Sequence, residues 1–255
     1  MYKGRKVVVV MPAYNAEQTL RRSFAEVCAQ EIADAVVIVD DCSRDGTESV
    51  ARSLAAEGVE LVYLRHDRNR GYGGNQKTCY RMALERGADI VVMVHPDCQY
   101  TPKLLVPLVS MIAEGLHPCV LASRILGGYA LKGGMPLWKY VNNRWLTAVM
   151  NLLMGAKLSE YHTGYRAFSA ELLRQLPLER NTDDFAFDAQ MLAEILATGA
   201  TIGEVSCPTV YAPEASSIGF VRSMKYGFGC LAAAVRFRLA RMGLPAGGQA
   251  GGKRA

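Results

Sequence analysis

Five short apolar runs punctuate the first 125 residues, and helix-patterned segments separate them. The runs are Lys6–Met11, Ala35–Val39, Glu60–Leu64, Ile90–Val94 and Cys119–Ala122. Each is β-branched or apolar almost throughout, as strands are when helices cover both faces of a parallel sheet. Between them the pattern predicts helices over about Glu17–Glu31, Thr47–Glu57, Asn75–Arg86 and Pro102–Glu114. Pro102 suits a first helical turn, and Thr101 before it suits a cap. The alternation predicts an α/β fold with a doubly wound, mostly parallel sheet.

The second half is patterned differently. Ser123–Gly134 carries Gly127, Gly128, Gly133 and Gly134, and is expected to be either a loop over a substrate or a plain surface connection. Helices are predicted over about Leu137–Met154 and Phe185–Thr198, with the segment Glu160–Phe168 and a short helix between them. Thr201–Tyr211 reads as extended, interrupted by Pro208. A last helix is predicted from about Ile218 to Met242, and the Gly/Ala-rich tail Gly243–Ala255 is expected to be disordered. Within that helix Phe220, Met224, Phe228, Leu231, Val235, Leu239 and Met242 form one apolar stripe, with Arg222, Lys225 and Arg236 along its flank. Such a stripe packs on a core or a second subunit, or lies in an anionic membrane surface.

Charge sharpens this reading. The net charge is +5, yet from Ala215 onward there are seven Lys/Arg and no acid, leaving 22 bases against 24 acids elsewhere. A local anionic partner fits better than a nucleic-acid footprint, and no nucleic-acid partner is expected. No apolar run reaches a membrane span. The chain reaches its first strand within seven residues, so no signal peptide is expected and the cytoplasm is the expected compartment. The seven cysteines are scattered and never spaced C-x-x-C, which argues against a disulfide framework and a zinc site.

In an open parallel sheet, ligands bind beyond the carboxyl ends of the strands. Four successive strand ends here deliver Pro12–Glu17, Asp40–Thr47, Asn69–Asn75 and His95–Gln99 to one edge. Asp40 and Asp41 can accept from a ribose hydroxyl or a base N–H, and Tyr14 can stack on a base. Gly71, Gly73 and Gly74 allow close backbone approach to a ligand, although their spacing is not a dinucleotide fingerprint. Asp97 and Gln99 offer oxygen ligands suited to Mg²⁺ or Mn²⁺ on a diphosphate. A P-loop is absent.

Pro-x-Tyr-Asn-x-Glu from Pro12, Val-Asp-Asp-x-Ser-x-Asp-Gly-Thr from Val39 and the later Asp97-x-Gln99 resemble family 2 glycosyltransferases of the GT-A fold. Ala122-Ser123-Arg124, Thr163–Phe168 and Phe185–Asp188 are similar to dolichyl- and polyprenyl-phosphate mannose or glucose synthases. The resemblance implies inverting transfer of a hexose from a nucleotide-diphosphate sugar, such as GDP-mannose or a UDP-sugar, to a lipid phosphate, with a divalent cation on the leaving diphosphate. It implies that Pro12, Tyr14, Glu17, Asp40 and Asp41 hold the nucleoside, and that Asp97 and Gln99 take the metal. Arg124 and Arg166 would face phosphate charge, and Gly73 and Lys132 complete the substrate-binding set. One domain is expected over 1–242: a nucleotide-sugar-binding, Rossmann-like half to 125, an acceptor-side half over 126–217 and the basic amphipathic helix over 218–242. A peripheral site at the inner membrane face, and a homo-oligomer through that helix, are further expectations.

Two positions depart from the family pattern. His95 stands where the metal motif usually begins with Asp, and it either ligates the metal or hydrogen-bonds a phosphate or the metal's water. Beyond the last extended segment the synthases carry Arg and then Ser-Lys, where this chain has Glu214 and Ser216-Ser217-Ile218. Lys225 or Arg222 can supply that charge, or the acceptor differs. A hydroxyl acceptor would need a base, for which Asp188 is the candidate; a lipid phosphate, with its second pKa at about 6, would need none. The alternatives are a soluble hydroxyl acceptor and a non-catalytic nucleotide-sugar-binding protein.

Overall fold

A computed structural model describes residues 1–209, 211 and 220–244, the side chains of 220–222 excepted. Glu214, Ser216–Ile218, the Arg222 side chain and the tail beyond residue 244 lie outside the described residues. One sheet of seven strands runs through the chain in the order β3-β2-β1-β4-β6-β5-β7. The strands are β1 (Val7–Ala13), β2 (Ala35–Asp40), β3 (Glu60–Arg65), β4 (Ile90–Met93), β5 (Cys119–Ser123), β6 (Arg166–Ser169) and β7 (Ile202–Ser206). The helices are α1 (Leu20–Cys28), α2 (Thr47–Arg52), α3 (Gly71–Glu85), α4 (Leu105–Ala113), α5 (Leu137–Met154), α6 (Ala170–Gln175), α7 (Phe187–Ala197) and α8 (Phe220–Arg241).

β1 sits centrally, every residue buried, with β2 and β4 parallel on its two sides. Alternation along the strand splits the core in two. Val8 and Val10 face a layer that includes Met150 of α5, Phe187 of α7 and Phe237 of α8. Val7, Val9 and Met11 face Leu20 and Phe24 of α1 and Leu105 and Leu108 of α4. The sheet is therefore covered on both sides, and its central strands β1, β2, β4 and β5 read as nearly uninterrupted apolar runs. Thr101 accepts from the Lys103 amide as the expected cap, ahead of a 3₁₀ turn over Pro102–Leu104.

Three features differ from the sequence expectation. β6 is inserted antiparallel between β4 and β5, with Ala167 opposite both Val92 and Val120. It is four residues long and begins with an arginine, so neither length nor hydropathy marks it. α3 starts at Gly71 instead of Asn75, because the Asp41 carboxylate accepts from the Arg70 and Gly71 amides at 2.8 and 3.0 Å. A carboxylate on the first amides both satisfies orphan donors and suits the helix dipole. Finally, α8 meets the core through Cys230, Ala233, Ala234 and Phe237. The long-side-chain stripe is turned outward, with Met224, Phe228, Val235 and Met242 exposed.

Gly73 and Gly227 separate two kinds of helical glycine. A Cβ at Gly73 would stand 2.4 Å from the Thr182 carbonyl oxygen and 2.8 Å from Phe187 Cβ, whereas one at Gly227 meets nothing within 4 Å. Gly73→Ala is expected to lose about 1–3 kcal/mol by overpacking. Gly227→Ala should gain about 0.5–1 kcal/mol from helix propensity. Urea denaturation of the two variants beside the parent checks both signs.

Candidate active site

A cavity of about 980 Å³ opens beyond the carboxyl ends of β1 and β4 and continues between α5 and α8. Its polar end carries Pro12, Tyr14, Asp41, His95, Asp97 and Gln99. Its far end is walled by Trp138, Trp145 and Leu146 of α5 and by Met224, Phe228 and Leu231 of α8. Tyr14 is half exposed there and available to stack on a base.

Several expected substrate residues are spent on the protein itself. Asp40 is fully buried and outside the cavity wall. Its carboxylate accepts from the Ser43 amide and hydroxyl and from Tyr63, and pairs with Arg65 at 3.5 Å. Asp41 does reach the cavity, yet both its oxygens are taken by the start of α3, and Oδ1 also lies 2.8 Å from His66 Nδ1. Glu17 accepts from the Gly46 amide at 2.9 Å, closing the loop after β2. The close approach that Gly73 permits is to Thr182 and Phe187, not to a ligand. Lys132 lies off the cavity wall, its ammonium 5.5 Å from the Tyr129 ring centre.

Arg166 likewise points into the protein. It is fully buried and off the cavity wall, where it donates to the carbonyls of Thr163, Tyr161 and Asp188 at 2.7, 3.0 and 3.2 Å. Its Nη1 stands 3.3 Å from Asp188 Oδ1. All three guanidinium nitrogens are thus engaged within the fold, and the fork is spent on the protein instead of a phosphate. Asp188, in the first turn of α7, also accepts from Gln76 at 3.1 Å and from the Tyr72 hydroxyl at 2.8 Å. Burial and the neighbouring Asp188 charge hold the Tyr72 phenol well above its usual range, so it stays a donor. Tyr72 in turn stacks on His95 and stands 3.2 Å from its Nε2. No sequence pattern assigns Tyr72 or Gln76 a role. The only signal for them was their place just after the third strand end.

Arg124 lines the cavity, ion-paired to Glu160 and donating to Tyr211 and the His162 carbonyl. Asn143 of α5 completes the Glu160 carboxylate at 2.8 Å. Burial and the nearby Arg124 cation hold the Lys139 ammonium on the same wall below its ordinary range. His162 shares its Nδ1 with the Tyr226 hydroxyl at 2.7 Å, tying this cluster to α8.

A family model described as "Glycosyl transferase family 2" matches residues 8–176. The chain belongs to glycosyltransferase family 2. Among curated relatives of this glycosyltransferase, a UDP-N-acetylglucosamine–dolichyl-phosphate N-acetylglucosaminyltransferase of Methanococcus voltae is 28% identical, over 80% of this chain and 86% of that one. An undecaprenyl-phosphate mannosyltransferase of Micrococcus luteus is 27% identical, over 78% and 82% of the two chains. Among solved structures, glucosyl-3-phosphoglycerate synthase of Mycobacterium tuberculosis, with Mn²⁺, UDP-glucose and phosphoglyceric acid, superposes with a TM-score of 0.67. That match covers 95% of this chain and 81% of the other at 24% identity, and shows the shared GT-A fold.

The glycosyltransferase's donor set suits a divalent metal completed by substrate. Among the described residues no group of three His, Cys, Asp or Glu converges on one point. Asp97 supplies one carboxylate on the cavity wall, its Oδ1 also accepting from the Gln99 amide at 3.0 Å. Mg²⁺-type sites commonly use one or two carboxylates and take further ligands from water and substrate phosphates.

The His162 Nε2 is buried without a hydrogen-bond partner among the described residues. Burial, with the Arg124 and Arg166 charges, pushes its pKa down to about 4, against an ordinary value near 6.5. Between those values the unfolded glycosyltransferase binds a proton that the folded one refuses. Stability present above pH 6.5 is therefore lost as pH falls toward 4, on the order of 3 kcal/mol from this group. In His162→Gln the pH dependence of the urea unfolding free energy should flatten by about one proton across that window.

Proposed function

We propose that the enzyme transfers a hexose from a nucleotide-diphosphate sugar to a polyprenyl phosphate at a membrane surface. The observation carrying this reading is that one cavity joins the polar strand-end site to the apolar groove between α5 and α8. One end suits a nucleotide diphosphate, and the other suits an isoprenoid chain. The names of the Methanococcus and Micrococcus relatives point to the same acceptor class.

The chemistry is one displacement. A phosphate oxygen of the lipid forms a bond to the anomeric carbon as the bond to the nucleoside diphosphate breaks, which inverts that centre. The lipid phosphate is largely ionised at neutral pH, with its second pKa at about 6, and needs no base. Asp188 fits that requirement, because its oxygens are occupied by Tyr72, Gln76 and Arg166. Pro12 and Tyr14 hold the nucleoside, and Arg124 with Lys139 brings positive charge to the reacting phosphates. A divalent cation, with Asp97 as its protein carboxylate and Gln99 beside it, would neutralise the leaving diphosphate.

The surface around the groove supports membrane docking. On α5 the apolar side chains Leu137, Val141, Trp145 and Leu152 point outward, Trp145 at 60% and Leu152 at 79% exposure. On α8, Phe228 is 66% exposed. Neither helix contains an acid, while together they carry seven Lys/Arg. An exposed apolar face with Trp and basic flanks is suited to lying in an anionic interface. No helix of the described residues is long and apolar enough to cross a membrane.

The test pairs GDP-mannose, UDP-glucose or UDP-N-acetylglucosamine with undecaprenyl phosphate in anionic vesicles and Mn²⁺. A chloroform-soluble sugar lipid is expected from one of them, falling at least about 100-fold in Asp97→Asn. Phe228→Glu should raise KM for the long-chain acceptor while sparing a short water-soluble prenyl phosphate. Absence of any organic-soluble product with every donor would overturn the reading.

A further inference from the structure

His95 is held by one edge. A Cβ at Gly164 would stand 2.5 Å from both Cδ2 and Nε2 of the imidazole, so that edge lies flat against the Gly164 backbone. Only a residue without a side chain leaves room for the ring there. On the same side, Nε2 is 3.2 Å from the Tyr72 hydroxyl. That hydroxyl has a single proton, and it is donated to Asp188 Oδ2 at 2.8 Å. The Asp188 carboxylate is itself fixed by Gln76 and by the buried Arg166.

The consequence is a tautomer. Because the Tyr72 proton is committed to a carboxylate, its oxygen can only accept from His95, and Nε2 must carry the hydrogen. The neutral ring then has its lone pair on Nδ1, the vertex opposite the Gly164-facing edge. His95 forms part of the same cavity wall as Asp97. Histidines that ligate metals characteristically donate their other N–H to a fixed acceptor, which sets tautomer and orientation. The Tyr72–Asp188–Arg166 chain is such an acceptor, assembled from α3, α7 and β6.

We propose that Tyr72 and Asp188 are positioning residues that hold His95 with Nδ1 as a nitrogen ligand to the donor-bound divalent cation, tuning this enzyme toward transition metals and away from Mg²⁺. The proposal rests on the reading of the polar end as a nucleotide-diphosphate site. An imidazole in place of a carboxylate removes one negative charge and one hard oxygen. It thereby weakens Mg²⁺ binding more than that of Co²⁺ or Mn²⁺, whose affinity for nitrogen is greater.

Binding, without turnover, tests this. Calorimetry would measure Mg²⁺, Mn²⁺ and Co²⁺ affinity in the full chain with UDP or GDP, whichever gives the larger thermal shift. The preference for Co²⁺ over Mg²⁺ should fall at least tenfold in His95→Asp. Tyr72→Phe should weaken Co²⁺ binding about 10- to 100-fold, as loss of a ligand's supporting partner does, and leave metal-free nucleotide affinity unchanged. Pulsed electron paramagnetic resonance of the Mn²⁺–nucleotide complex should show coupling to a histidine nitrogen that disappears in His95→Asp. Tight Mn²⁺–nucleotide binding without nitrogen coupling, or unchanged selectivity in His95→Asp, would overturn the proposal alone. Failure of every metal–nucleotide pair to bind would overturn the donor-site reading with it. Neither outcome depends on sugar-lipid formation.

Discussion

A guanidinium with no exposed surface organises this molecule. Arg166 opens β6, the strand inserted antiparallel between β4 and β5, and its fork reaches the carbonyls of Tyr161, Thr163 and Asp188. Its charge is answered by the Asp188 carboxylate at 3.3 Å. A buried pair of this kind contributes little net stability compared with apolar side chains of similar size, but stranding either partner costs about 3–5 kcal/mol. Its importance here is geometric. Through Asp188 it fixes Tyr72 and Gln76 on α3, and through Tyr72 it bears on His95 beside the cavity. Elements from four separate stretches of chain are thus held to one buried charge.

The same logic repeats at a second buried pair. Arg124 follows β5 and is closed by Glu160, which Asn143 of α5 also holds. His162 then links this cluster to Tyr226 on α8. The two helices that wall the apolar end are therefore attached to the polar end by hydrogen bonds as well as by packing. α8 lies against its neighbours through small residues, Ala233 and Ala234 among them. Small side chains permit close helix approach and leave the long apolar ones free to face outward.

Much of the frame was legible in the chain. The five strand-sized runs of the first 125 residues coincide with β1 to β5 to within two residues at either end; four of them, β1, β2, β4 and β5, are buried throughout and have no polar alternation to blur them. The helix over Leu137–Met154 matches as well, stopped by Gly155 in a left-handed conformation. What could not be read was which polar group satisfies which. Asp40, Asp41 and Glu17 are chemically as fit for a ribose as for a backbone amide, and the structure spends them on Ser43, the start of α3 and Gly46. Tyr72 and Asp188 are 116 residues apart, so no local pattern announces their bond. β6 escaped for a related reason: a strand led by Arg166 looks polar until the carbonyls that absorb its charge are known.

These assignments change how the polar end must handle charge. With Asp40 buried and the Asp41 oxygens engaged at the start of α3, Asp97 is the expected metal carboxylate on the cavity wall, its Oδ1 also accepting from the Gln99 amide. Arg124 is largely neutralised by Glu160, whereas Lys139 is held below its ordinary pKa range by burial and by Arg124. An incoming phosphate would offset that repulsion, since an anion placed near two cations favours the charged form of both. The wall between the polar end and the apolar groove is therefore electrostatically prepared for an anion. Under the proposed function, that is the point where a phosphate carried on an isoprenoid chain in the α5–α8 groove would meet the donor.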